Sequence, residues 1–264
     1  MSRRKLIGLT GPSSFSQECK DMIEKFFKAN YVSLDHHDRE NLDEWLPLCD
    51  AVILAGGVDI HPSVYKDSVW NNVGFTKFDI KRDERELVIA DFCVKNQKPI
   101  LGICRGHQLL GVYHGLKLMA DISSSSVCHS PQRQQIQHVP IEPMHKVKLV
   151  EPLEFRRVYQ MPAIPPEHAA IRKVMRQKSD ELWVNSFHHQ GVKLDEKVKY
   201  AEHGIKVVAT GRIDYQHTKE IIEMMEGTTA PWISVQFHPE YDYTVNSASY
   251  CVLDRFARMI NGEG

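Results

Sequence analysis

Residues 100–111 read ILGICRGHQLLG, and the placement of Cys104 in that stretch decides the fold. Ile100, Leu101 and Ile103 end an apolar run of the kind a buried strand makes, whereas Leu109, Leu110, Tyr113 and Leu116 recur at spacings of three and four, as one helix face would. Cys104 therefore sits at a strand-to-helix corner, flanked at two residues' distance by Gly102 and Gly106. This is the G-x-nucleophile-x-G form, in which a sharp turn exposes one side chain at the top of a sheet. A thiol there faces unpaired backbone N–H groups and the positive end of a helix dipole, which favour thiolate. A buried packing cysteine would fit the same apolar surroundings. What separates the two readings is whether a base lies elsewhere in the chain.

The pattern around the corner alternates. KLIGLT, YVSL, DAVILA and KPILGI are strand candidates, with SQECKDMIEKFFKAN and DIKRDERELVIADFCVKNQ as helices between them. Such alternation predicts an α/β fold, a doubly wound and mostly parallel sheet with helices on both faces. Further along, HKVKLV, LWVNSF, IKVVAT and WISVQF are strand candidates, and SASYCVLDRFARMI is a C-terminal helix. Residues 121–140 are polar and read as a flap, and the Pro-rich MPAIPPEH at 161–168 reads as an insertion. With strands still to come after it, residues 1–264 are expected to form one domain.

Composition excludes several classes of function. Apolar content of 42%, charged content of 25% and a net charge of -1 carry no basic excess, so neither nucleic acid nor an anionic membrane surface is expected as a partner. The opening MSRRKLIGLTGPSS has an apolar stretch too short for a signal peptide, and nothing approaches the roughly 18 apolar residues of a membrane span. Cys19, Cys49, Cys93, Cys104, Cys128 and Cys251 form no C-x-x-C pair, which fits reduced thiols and a cytoplasmic location. Cys93 and Cys251 fall in apolar helical patterns and are expected to be packing residues.

The base is found after WISVQF, where HPE puts His238 and Glu240 two residues apart beyond an apolar run. In a doubly wound sheet, sites gather at the carboxyl ends of strands, so this histidine can meet a cysteine at the end of another. Nucleophile, base and orienting carboxylate are then all present. His188 and His189 invite a metal reading, but adjacent residues of a strand point to opposite faces and no carboxylate cluster accompanies them. No metal is expected.

GICRG followed by QFHPE resembles the class I glutamine amidotransferase superfamily. AGGVDIHPSVY, RDERE and VNSFHHQGV resemble segments of its γ-glutamyl-γ-aminobutyrate hydrolase branch, whose members stand alone and cleave γ-glutamyl amides. The resemblance implies Cys104 as nucleophile, His238 as general base and acid, and Glu240 as the orienting carboxylate. It further implies an oxyanion hole at the backbone N–H groups of Gly57 and Arg105, and a substrate wall of Gln108, Asn185, Ser186 and His188. The implied substrate is a small γ-glutamyl amide or glutamine, with no cofactor. The same triad would serve a glutaminase subunit that passes ammonia to a separate synthetase, and a homodimer is compatible with either. The stretch QLLGVYHGLKLMAD departs from relatives at Gly111, His114, Lys117 and Ala120, and ATGRIDYQHTKEIIEMMEG replaces a shorter hairpin. These departures bear on the amine end of the substrate more than on the triad.

Overall fold

The computed structural model describes residues 3–11, 16–35, 42–65, 77–122, 145–159, 180–213, 219–244 and 246–263. The 161–168 insertion, Cys128 and the flap beyond Ile122 lie outside the described residues. The strands are β1 (Leu6–Thr10), β2 (Asn30–Ser33), β3 (Ala51–Leu54), β4 (Ile100–Ile103), β5 (Leu118–Met119), β6 (His145–Leu149), β7 (Glu181–Val184), β8 (Gly191–Lys193), β9 (Ile205–Arg212), β10 (Glu220–Gly227) and β11 (Trp232–Val235). They form a mixed sheet in the order β2-β1-β3-β4-β11-β10-β9-β6-β7, with β8 pairing with β10 and β5.

The alternating first half builds the parallel part. β2, β1, β3, β4 and β11 all run parallel, and every residue of β3, β4 and β11 is buried. Strands covered on both faces read as continuous apolar runs, which is why AVIL, ILGI and WISV lack alternation. Even and odd positions feed two cores. Ile53, Leu101, Ile103, Ile233 and Val235 pack with Met22 of helix Ser16–Lys25 and Val252 and Phe256 of helix Ser247–Asn261. Val52, Leu54, Ile100 and Trp232 pack on the other face with Ile89 and Cys93 of helix Ile80–Lys95 and Leu109 of helix Arg105–Tyr113. Helix starts are capped locally: Asp79 accepts from the Arg82 N–H and Asn246 from the Ala248 N–H.

Beyond β11 the sheet turns antiparallel, through β10, β9, β6 and β7. β10 carries a bulge at Glu223, where the register against β9 slips between Ile222 and Met224. The consequence for function lies in the parallel part. β3, β4 and β11 are adjacent and in register, with Leu54 beside Gly102 and Ile103 beside Val235. Their carboxyl ends therefore deliver residues 55–57, Cys104 and residues 236–238 to one place.

Candidate active site

Cys104 stands at the corner with φ 52 and ψ -100, a left-handed backbone that a side chain adopts only under strain. Its N–H donates to the Val235 carbonyl at 2.8 Å, and its carbonyl accepts from Gln108 N–H at 3.1 Å, which fixes the corner between sheet and helix. The flanking glycines are there for space. A Cβ on Gly106 would lie 2.1 Å from the Leu54 carbonyl oxygen, and one on Gly102 2.8 Å from the Gly106 carbonyl oxygen. Helix and sheet thus approach to backbone contact on both sides of the cysteine.

His238 and Cys104 meet across Gly56. A Cβ built on Gly56 would lie 2.9 Å from His238 Cε1 and 3.7 Å from Cys104 Cβ. His238 Nδ1 lies 2.7 Å from Glu240 Oε1, both side chains being buried. With the carboxylate accepting at Nδ1, the proton-accepting position is Nε2, which has no nitrogen or oxygen partner among the described residues. Burial is the largest single influence on the imidazole and pulls its pKa down. The Glu240 carboxylate and the Cys104 thiol, by charge and hydrogen bonding, more than reverse this and hold it well above the ordinary histidine value. Phe187 meets the His238 ring edge-on at 5.6 Å, and Tyr241 lies 5.3 Å from it, so aromatic rings wall the imidazole.

The four other described cysteines are buried. Burial pushes the Cys93 and Cys251 thiols up to about 12 and Cys49 up to about 11, and lifts Cys19 well above its usual value. These are thiols at neutral pH, and Cys93 and Cys251 belong to the two cores.

Arg105, next to Cys104, turns its guanidinium away from the corner into a buried network, with Nη1 on Glu86 and Nη2 on Asp83. Glu86 also takes Arg82 Nε at 2.7 Å and Thr10 Oγ1 at 2.5 Å. Burial pushes the Glu86 carboxyl up, but the Arg105 and Arg82 guanidiniums bring it below the usual carboxylate value. Arg82, Asp83 and Glu86 of RDERE thus place charge beneath the corner, paired with Arg105.

Gln108 donates to the Gln190 carbonyl at 3.1 Å and to Gln236 Oε1 at 3.2 Å, and Gln236 Nε2 points at Cys104 Sγ at 3.7 Å. Asn185, read from the sequence as a substrate wall, uses its amide elsewhere. Its Nδ2 donates to the His238 carbonyl and its Oδ1 accepts from the His238 N–H, each at 2.8 Å. Ser186 is buried, and buried His188 holds the Gln190 carbonyl through Nδ1 at 2.8 Å. His189 is half-exposed and engages Asp59 at 3.0 Å and Asp121 at 3.7 Å. The hydrogen bond that His189 donates to Asp59, above all, raises its pKa. Among the described residues no group of three His, Cys, Asp or Glu side chains is placed to hold a metal ion, and no helix is long and apolar enough to cross a membrane.

Residues 10–240 match the peptidase C26 family over most of the chain. The chain belongs to this family of class I glutamine amidotransferase-like hydrolases. Among its relatives, the C26 chain is 29% identical over 220 residues to the glutamine amidotransferase-like protein YvdE of Lactococcus lactis subsp. lactis, covering 83% of this chain and 77% of YvdE. It is 24% identical over 220 residues to the gamma-glutamyl-gamma-aminobutyrate hydrolase PuuD of Escherichia coli K12, covering 80% of this chain and 70% of PuuD. In fold it is similar to the glutaminase domain of Trypanosoma brucei CTPS, solved with bound acivicin. That match has a TM-score of 0.59 and 13% identity and covers 99% of this chain and 95% of the other.

Three features of this C26 site escaped the sequence reading. Gln236 and Phe187 sit inside QFHPE and NSFHHQ, so their motifs were in view while their roles were not. Asp59 lies in GGVDIHP, but its partner His189 is 130 residues away. The departures in QLLGVYHG have structural explanations: Gly111 passes within contact of Val192, where its Cβ would lie 2.9 Å from a methyl, and His114 stacks on Trp232 at 4.9 Å.

Proposed function

We propose that this chain hydrolyses the amide bond of a small γ-glutamyl amine through a glutamyl thioester on Cys104. The observation that carries the reading is the strained Cys104 corner lying beside a His238 imidazole oriented by Glu240 at 2.7 Å. His238 Nε2 takes the thiol proton, the thiolate adds to the amide carbonyl, and charge builds on its oxygen. The backbone N–H groups of Gly57 and Arg105 are the donors for that oxyanion, and donors held in place beforehand need no reorganisation as the charge forms. Imidazolium then protonates the leaving amine, the C–N bond breaks, and the thioester remains. Water, deprotonated by the same imidazole, adds next. Glutamate leaves and the thiol regains its proton.

Gln108, Ser186 and His188 supply the wall for the glutamyl part in this reading. Asn185 serves instead to place His238, since its amide is engaged by that residue's backbone. Similarity to PuuD supports the γ-glutamyl amine as substrate. Similarity to the CTPS glutaminase domain supports a second reading, a glutaminase that delivers ammonia to a separate synthetase. Incubating the isolated protein with glutamine and a panel of γ-glutamyl amines separates them. The hydrolase reading expects at least one γ-glutamyl amine to exceed glutamine in kcat/KM, because a larger leaving amine offers binding energy that ammonia lacks. Glutamine as best substrate, cleaved only when a second protein is added, would replace it with the synthetase reading.

A further inference from the structure

Resting on the acyl-transfer chemistry proposed above, we infer that Arg82 is a positioning residue of the oxyanion hole: its guanidinium, clamped on the carbonyls of Ala55 and Gly56, aims the Gly57 N–H at the reacting carbonyl. Arg82 Nη2 donates to the Ala55 carbonyl at 2.8 Å and to the Gly56 carbonyl at 3.2 Å. The Gly56 carbonyl and the Gly57 N–H belong to one planar trans peptide, so they point in opposite directions. Fixing the carbonyl on the Arg82 side therefore turns the N–H to the other side. That other side is where the reacting groups lie. A Cβ on Gly56 would face His238 and Cys104, whereas one on Gly57 would lie 2.1 Å from Arg82 Nη1 and 3.5 Å from Arg105 Cδ. The loop thus runs between the guanidiniums below and the triad above, and Gly57 lacks a side chain because Arg82 occupies the space.

The second arm of the hole is tied to the first. Arg105, whose N–H is the other donor, is held through its side chain by Glu86 Oε2, and Glu86 Oε1 takes Arg82 Nε at 2.7 Å. One buried carboxylate therefore joins the guanidinium under Gly57 to the residue that follows the nucleophile. Asp83 completes the charge balance by holding Arg105 Nη2 and accepting the His61 N–H at 2.9 Å. Two arginines and two carboxylates, all buried, leave the network without net charge. Buried charges are retained only when paired, so the network holds one geometry or is severely destabilised. Lysine cannot replace arginine here, because a single ammonium does not reproduce the fork that reaches Glu86 and two carbonyls together.

The experiment compares two rates at Cys104 in wild type and Arg82→Lys, each read on the Cys104 peptide by mass. The first is acylation by p-nitrophenyl acetate, which passes through a tetrahedral oxyanion but asks for no glutamyl recognition. The second is alkylation by iodoacetamide, a displacement at carbon that builds no oxyanion and depends only on thiolate and access. Arg82→Lys is expected to slow acylation toward the roughly 10²-fold scale of losing one oxyanion donor while leaving alkylation close to wild type. Equal acylation rates, or both rates falling by the same factor, would overturn the inference. Should Arg82→Lys not fold, Glu86→Asp, which shortens the link while keeping its charge, is expected to show the same split, and its absence there overturns the inference equally. A wild type that is acylated by the ester but cleaves no γ-glutamyl amide defeats the substrate reading and leaves this inference standing. A wild type that does neither defeats both.

Discussion

His238 Nδ1 and Glu240 Oε1 lie 2.7 Å apart although only Pro239 separates the two residues. In a helix, side chains two residues apart do not face each other. Here His238 is the non-helical residue, φ -112 and ψ 86, before the turn Pro239–Asp242, and the chain folds back so that the carboxylate reaches the ring. Proline suits the first position of such a turn because its fixed φ is already helical and the missing N–H would have no partner there.

The pair sets the pH dependence. Glu240 is among the groups that raise the His238 pKa, so Glu240→Gln lowers it and imidazolium is lost at lower pH. Once the thiol proton rests on His238 the reactive form is the thiolate–imidazolium pair, so the alkaline limb of kcat/KM for amide cleavage, where that imidazolium is lost, should move to lower pH in Glu240→Gln. His238→Asn should lose more activity than Glu240→Gln, approaching the ~10⁴-fold scale of removing a triad member, since the imidazole takes part in every proton transfer. An alkaline limb that stays put in Glu240→Gln would count against the carboxylate's role.

Strain at Cys104 predicts an inverted glycine preference. Glycine normally destabilises an ordered backbone relative to alanine, but at φ 52 it removes a conflict that alanine keeps. Cys104→Gly should be more stable than Cys104→Ala by about 1 kcal/mol, within the range stored at such sites. For a chain of this size that is a Tm difference of roughly 2–4 °C by thermal melting. Alanine melting higher than glycine would show the corner to be relaxed.

Asn185→Ala leaves the buried His238 N–H and carbonyl without their partners, a loss of about 1–3 kcal/mol for each group in denaturant unfolding. Folded protein should lose kcat more than KM, because the residue places the base. A rise in KM alone would restore Asn185 to the substrate wall.

The Asp59–His189 pair gives a pH-dependent contribution to stability. Asp59 raises the folded-state pKa of His189, so the stabilisation is fully present below the unfolded histidine value near ~6.5 and is lost as pH rises through the higher folded value. The Tm difference between wild type and Asp59→Asn should be widest near pH ~6 and narrow in alkaline solution. A gap that widens with pH would reverse the assignment.

Much of this was legible in the chain. The alternating apolar runs through Ile103 carried the parallel strands β1, β2, β3 and β4 and the helices on both faces, and the Cys104 corner lay where two glycines framed it. β10 was not legible. EIIEMMEG is rich in helix-forming Glu and Met and shows no alternation, because six of its eight residues are buried and a bulge at Glu223 breaks the period. Strand direction beyond β11 was equally hidden, since pairing sense is decided by connections and not by composition. Within the site, GICRG and HPE announced themselves, whereas Arg82, Asp59 and Gln236 act through partners far away in sequence.

The most direct test of the central claim is to trap the intermediate. The protein is mixed with a γ-glutamyl amine, quenched in acid within the first turnover, and digested for mass spectrometry. A single glutamyl group in thioester linkage on the Cys104 peptide is expected, with released amine matching it in the burst and no adduct in Cys104→Ser. Undiminished turnover in Cys104→Ser, or a glutamyl group carried by any other residue, would contradict the account.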